Sequence, residues 1–282
     1  MTKYVVLLLA WLIAFEASAE TVSEMQRRAE SSMVVTGTID ISPDGTVTSH
    51  DLDHRDKLPA MVADLVDRAA ARWHFQEDLA KSSTTRHTDM TLRIVARHQN
   101  DGANRARIVA ASFGSHASDE YLETKSMQPP QYPTFALWHR IQGTVHLLAR
   151  IDRNGVVTDV TAEQIDLDTV ASETVMQQIR KQFAENSIRA AKSWTFTVHR
   201  LSNQPDGAWI VRIPAVFDIR EFGNSDVDVG KWLVYVPGPK EDAAWLNKYG
   251  YEKPEMDNDA LPAGTLQPVD HQLALTTPLD DE

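Results

Sequence analysis

At 282 residues the chain has room for two domains of about 100 residues and a remainder, and it lacks cysteine altogether. That absence excludes disulfide staples, thiolate metal ligands and thiol nucleophiles. The formal net charge is −12, and three quarters of the excess lies beyond residue 220, where thirteen acidic residues face four lysines. A surface of that sign cannot release phosphate counterions, which excludes non-specific nucleic-acid binding; the acidic end reads as a solvated extension.

Lys3, an apolar run over residues 4–15 and Ala17-Ser18-Ala19 have the order of an export signal over residues 1–19, with cleavage near Glu20. The run falls short of the about 20 apolar residues of a membrane span. An uncleaved anchor is the alternative, and membrane contact follows only if the segment is retained. Residues 33–41, rich in Val, Thr and Ile, predict a strand, and Ser42-Pro43-Asp44-Gly45 a turn in which Gly45 accepts a positive φ. A second strand follows over 46–51. Pro59 then opens a helix to about Arg72, with Met61, Leu65, Val66 and Ala69 on its apolar face. Residues 90–96 and 106–113 predict a hairpin turning at Asn100-Asp101-Gly102.

Residues 115–130 read as a polar linker ending in Pro129-Pro130, which divides a unit over 33–114 from a second over 131–220. In the second unit, 143–151 and 156–162 predict strands about a turn at Gly155. A helix over 169–192, with Val175, Ile179, Phe183 and Ala190 on one face and a kink near Asn186, comes next. Strands over 194–201 and 208–220 close the unit. Each unit is expected to be β-β-α-β-β, an α+β fold with one helix on a short antiparallel sheet. Residues 221–282 form an irregular acidic extension, save a strand over 231–236, with Trp232 and Trp245 anchoring it to the second unit.

The strongest signal is a repeat. Arg68-Ala69-Ala70 with Trp73 and Phe75 returns as Arg189-Ala190-Ala191 with Trp194 and Phe196. Upstream of each copy stands Ile-x-x-(Asp/Asn)-Gly-x-Val-Thr, at 41–48 and 151–158. Two motifs repeated in one order imply duplication of a small structural unit. Residues two apart on a strand share a face, so Trp73 with Phe75, and Trp194 with Phe196, are expected to lock helix to sheet as core.

No constellation carries catalysis. Ser112-Phe113-Gly114-Ser115 lacks the spacing of a nucleophile elbow, and no glycine-rich phosphate loop follows any strand. His50-Asp51-Leu52-Asp53-His54 holds four donors in five residues, but on a surface loop without a distant partner histidine it reads as solvated polar sequence. The chain is expected to be a binding protein, with no enzyme activity, metal or cofactor.

Within the second unit, Tyr132-Pro133-x-x-Ala136 with Ile141-x-Gly143, Ile151-Asp152-x-Asn154-Gly155-x-Val157 and Ala190-Ala191-x-x-Trp194-x-Phe196 resemble the TonB C-terminal domain in order and spacing, over about 129–220. The first unit resembles a diverged copy without the Tyr-Pro entry. The resemblance implies a periplasmic domain that takes a short peptide of an outer-membrane transporter, or of another envelope protein, as an added strand. The implied edge is Trp209, Ile210, Val211, Arg212, Ile213, Ala215 and Phe217, with Pro214 at a position an edge tolerates. A second copy exchanging strands is another partner to consider. The family's transducers carry an inner-membrane helix and a long Pro-rich spacer, and no such spacer precedes residue 33. The expectation is therefore an adaptor, with a membrane-anchored energy transducer as the alternative if residues 1–19 stay attached.

Overall fold

The computed structural model describes residues 25–76, 84–98, 104–114, 122–202, 204, 206–219, 230–251, 266–269 and 275–279. The expected export signal and the turn at 100–102 lie outside them. No helix among the described residues is long and apolar enough to cross a membrane. The fold is mixed α and β, and its strand pairings are antiparallel.

The first sheet is built on β1 (Glu30–Ile41), which pairs β3 (Arg86–His98) along one side. Its other side is shared by β2 (Val47–Leu52), opposite Gly37–Ile41, and by β10 (Leu233–Tyr235) from the C-terminal segment, opposite Glu30–Ser32. Strand β4 (Asn104–Phe113) lies beyond β3. Helix α1 (Ala60–Ala70) covers one face of this sheet through Val62, Ala63, Val66, Ala69 and Ala70. The apolar stripe is rotated from the expected one: Met61 is 49% exposed. Small residues at 63, 69 and 70 let the helix approach the sheet more closely than Met61 and Leu65 would.

The second sheet has the order β11-β9-β6-β7. Here β6 (Gly143–Ile151) pairs β7 (Val157–Leu167) on one side and β9 (Trp209–Phe217) on the other. The two-residue β11 (Gln267–Pro268) meets β9 from outside. Before β6 comes a short helix, α2 (Thr134–Trp138), and after β7 the long helix α3 (Glu173–Ala191). Helix α3 is continuous through Asn186. Its inward side is Met176, Ile179, Phe183 and Ala191, with Arg180 and Ser187 also buried.

Two expected features differ. Strand β8 (Thr195–Val198) leaves the main sheet and pairs β5 (Leu122–Ser126), so the expected linker contributes a strand. In the first unit the matching stretch is a pair of single bridges, Thr46 to His74 and Phe75 to Leu275, and the strands expected over 90–96 and 106–113 pair as β3 and β4. Local alternation identifies strands but not their neighbours.

The paired motifs fold alike. Phe75 N–H donates to the Gly45 carbonyl at 2.8 Å, and Phe196 N–H to that of Gly155 at 2.8 Å. Gly45 and Gly155 have φ of +89° and +77°, and a Cβ there would stand 2.3 Å and 1.8 Å from the carbonyl oxygens of Phe75 and Phe196. Glycine is thus required twice over, by conformation and by space. Trp73, Phe75, Trp194 and Phe196 are all buried, the first pair in the α1 core and the second in the α3 core. Trp194 also donates its indole N–H to the Gln128 carbonyl at 2.8 Å. Truncating it removes a large buried ring and orphans that carbonyl. We predict that Trp194→Ala costs about 3–5 kcal/mol in denaturant unfolding; a loss below about 1 kcal/mol contradicts its core role.

Candidate strand-addition site

Alternation along β9 sends its side chains to two places. Trp209, Val211, Ile213, Ala215 and Phe217 enter the core under α3, where Phe217 stacks on Phe183 with ring centroids 4.0 Å apart. The other face carries Ile210, Arg212, Pro214 and Val216. Ile210 joins a third apolar cluster, with Leu148, Ala243, Leu246 and Tyr251. Arg212 pairs with Glu163 at 3.0 Å. The residues singled out from sequence are therefore brought together on one strand, but mostly with their side chains inside. What β9 offers outward is backbone.

One edge of that backbone is paired to β6 along its full length, Ile151 with Trp209 through Gly143 with Phe217. On the other edge, among the described residues, the ladder is the register Gln267 to Arg212 and Pro268 to Val211. An open edge supplies unpaired N–H and C=O groups for an added strand. The outer edge of β4 in the first sheet is the competing candidate. Its residues Arg105 and Arg107 are exposed, and charged side chains on an edge discourage pairing, whereas β9 presents Pro214, Ala215 and Val216 beyond the covered stretch.

The segment that surrounds this site was expected to be irregular save for a strand over 231–236; β10 is that strand, and more of the segment is structured than expected. Residues 230–251 are largely ordered against both sheets. Trp232 packs on the α1 core, not on the second unit as expected, while Trp245 packs over the second sheet and donates its indole N–H to Thr161 Oγ1 at 2.9 Å. Their separation is physical: β10 binds the first sheet, and the chain then crosses to β7, where Val236 and Leu167 exchange hydrogen bonds of 2.7 and 3.2 Å. Arg180 from α3 fixes the crossing by donating to the carbonyls of Ile165, Val236 and Pro237 at 3.1–3.2 Å. Burial lowers its pKa. Helix α4 (Trp245–Tyr249) then lies on the sheet face opposite α3. Arg150 anchors it: the guanidinium sits 4.1 Å from the Tyr249 ring centroid and is paired with Asp206, which also accepts from the Tyr251 hydroxyl at 2.8 Å. Burial opposes ionisation of Asp206, but Arg150 and the Ala208 and Tyr251 donors hold its pKa at about 2.

Where the sheets meet, Asp166 is enclosed. Its carboxylate accepts from Arg93 of the first sheet at 3.3 Å and from Gln164 at 2.7 Å, and lies 3.1 Å from His146 Nε2. Arg93 also stands 4.8 Å from the Tyr235 ring centroid, and Tyr235 donates to Glu30 at 2.6 Å. Burial pushes the Asp166 pKa up, but the His146 hydrogen bond, then the His146 and Arg93 charges and Gln164, bring it down to about 2.

Among the described residues no group of three or more His, Asp and Glu side chains is placed to hold a metal. The histidine-rich stretch expected as a loop is in part strand: His50 and Asp51 lie on β2, where His50 pairs with Asp67 at 2.8 Å, and Asp53 just beyond it accepts from Thr36 at 2.6 Å.

The fold and site thus define a mixed α/β protein whose second sheet presents a partly covered backbone edge. Comparison with known proteins identifies a relative: the chain is 32% identical over 100 residues to protein TonB of Xanthomonas campestris pv. campestris, in strain B100 and in a second strain. The match takes in 34% of this chain and 37% of the relatives, so it spans little more than a third of their length. No family model and no solved structure matches.

We predict that Asp166→Ala, which leaves Arg93 buried without its carboxylate, destabilises the chain by about 3–5 kcal/mol. The Asp166 contribution in the parent protein is complete above the usual value of 3.8 and fades as pH falls toward about 2. Denaturant unfolding across that window should show a parent-specific loss that the variant lacks; identical pH profiles contradict the assignment.

Proposed function

We propose that the chain is a periplasmic adaptor of the TonB type, made of tandem units that resemble the TonB C-terminal domain, and that it acts by binding rather than catalysis. Its second unit receives an extended peptide of an outer-membrane transporter as a strand along the outer edge of β9. The observation that carries this reading is β9 itself: an outer strand whose side chains are already packed and whose outward backbone is paired over two residues among those described. The partial identity to protein TonB supports it. So do the matched hydrogen bonds of Phe75 to Gly45 and Phe196 to Gly155, which favour duplication of one unit.

In the first unit the edge of β3 that corresponds to the outer edge of β9 is filled by β4 from Met90 to His98. Peptide capture therefore belongs to the second unit, and the first serves as support. The apolar run over residues 4–15 is read as an export signal, with the anchored transducer as the second reading. Intact mass of the exported protein separates them, since a start near Glu20 removes any anchor.

Titrating N-terminal peptides of outer-membrane transporters while following amide hydrogen exchange tests the site. The expected result is new protection on β9 between Val211 and Phe217. Peptide binding that protects other strands and leaves β9 unchanged overturns the placement.

A further inference from the structure

The outer edge of β9 is occupied at one place by the chain's own C-terminal segment, and the character of that contact is informative. Leu266 packs against the α3 core and Val269 against the cluster formed with α4, so the segment straddles the edge with one apolar contact above the sheet and one below. Among the described residues its backbone pairing covers Gln267 and Pro268. Proline has no N–H to give a ladder. Gln267 is buried to 4% exposure, yet neither its side-chain oxygen nor its nitrogen has a partner. An unpaired buried amide is unfavourable, whereas in water both atoms would be solvated. A short ladder and an unsatisfied amide make this a strand that holds the edge without holding it tightly.

The flanking connections point the same way. Toward the N-terminus the segment is joined to Tyr251, which is fixed through Asp206; toward the C-terminus it leads to Leu275, bridged to Phe75, and to Leu279, whose carbonyl accepts from the Trp73 indole at 3.0 Å. Both ends are thus pinned, one on each core, while the middle rests on β9.

We propose that residues 266–269 are a resident strand on the partner-binding edge, and that an extended peptide binds β9 by displacing them at Val211 and Arg212. The inference rests on the strand-addition reading for its partner, but the displaceable segment is a property of this chain alone. A tethered occupant competes at a fixed effective concentration. It shields the edge from unselected strands, and a partner must supply more pairing than Gln267 and Pro268 do.

A disulfide variant tests this without truncation. Arg212 and Gln267 are direct cross-strand partners, and the chain has no native cysteine to interfere. In R212C/Q267C, oxidation fixes the segment on the edge and reduction frees it, so each protein is its own control for folding and for loss of the two side chains. Transporter N-terminal peptides are expected to bind the reduced form at least about tenfold more tightly than the oxidised form. Equal binding by both forms overturns the inference. Hydrogen exchange in the parent chain without peptide gives an independent reading. The amides of Gln267 and Val269 should exchange about a hundredfold or more faster than those of β6, because they open locally. Exchange as slow as β6 would make the segment a permanent strand and overturn the inference. Should neither form bind any peptide, the strand-addition function fails, and the exchange comparison decides the resident strand by itself.

Discussion

The constraint on which this structure depends is that a sheet edge cannot be left bare without consequence. Each unpaired backbone group either stays in water, finds a partner, or invites a foreign strand. The chain answers this differently at each edge. On the first sheet β2 and β10 share the free side of β1, and β4 closes β3 and carries exposed arginines on its own outer side. On the second sheet β7 is covered by Val236, by the Arg180 guanidinium on the Ile165 carbonyl, and by a hydrogen bond from Glu241 N–H to the Glu163 carbonyl at 2.7 Å. The outer side of β9 receives a two-residue ladder. Among the described residues the least covered apolar edge is also the one that the TonB-like resemblance singles out.

The C-terminal segment does more than cover edges, because it is wound through both cores. Its Trp232 belongs to one hydrophobic cluster and its Val236 to the other, and between them Tyr235 stacks on the Arg93 that pairs with Asp166. A charged pair this enclosed adds little net stability over apolar packing, but its geometry admits few alternatives. It fixes how the two sheets meet, with the segment as the third component of the contact. Its contacts are made by aromatic and apolar residues, while Glu241 and Asp242 of the same segment are exposed.

Much of the local structure was legible in the sequence. The strand at Gly143–Ile151, the turns at Gly45 and Gly155 and the burial of both Trp-x-Phe pairs follow from period, turn chemistry and repetition. The long helix was read four residues too far at its N-terminal end, since it begins at Glu173 and not at residue 169. What escaped were pairings between distant segments. Nothing local says that β8 should join β5, that Trp232 should serve the α1 core, or that Gln267 and Pro268 should sit on β9. Leu266-Gln267-Pro268-Val269 is too short to show a period, and its proline argues against a strand by the usual rule. Asp166 was likewise invisible, because its significance comes from Arg93, more than seventy positions away, and from His146.

The central claim is that partners meet the chain along the outer side of β9. The most direct measurement is site-specific photocrosslinking in the intact cell envelope, with the reactive group at Val216, which is 37% exposed and lies beyond the residues of β9 paired to Gln267 and Pro268. A matched chain carries the group at Trp138, which is 80% exposed on α2. The account predicts that position 216 captures the N-terminal segment of an outer-membrane transporter and that position 138 does not. Capture of the same partner from 138, with none from 216, would contradict it.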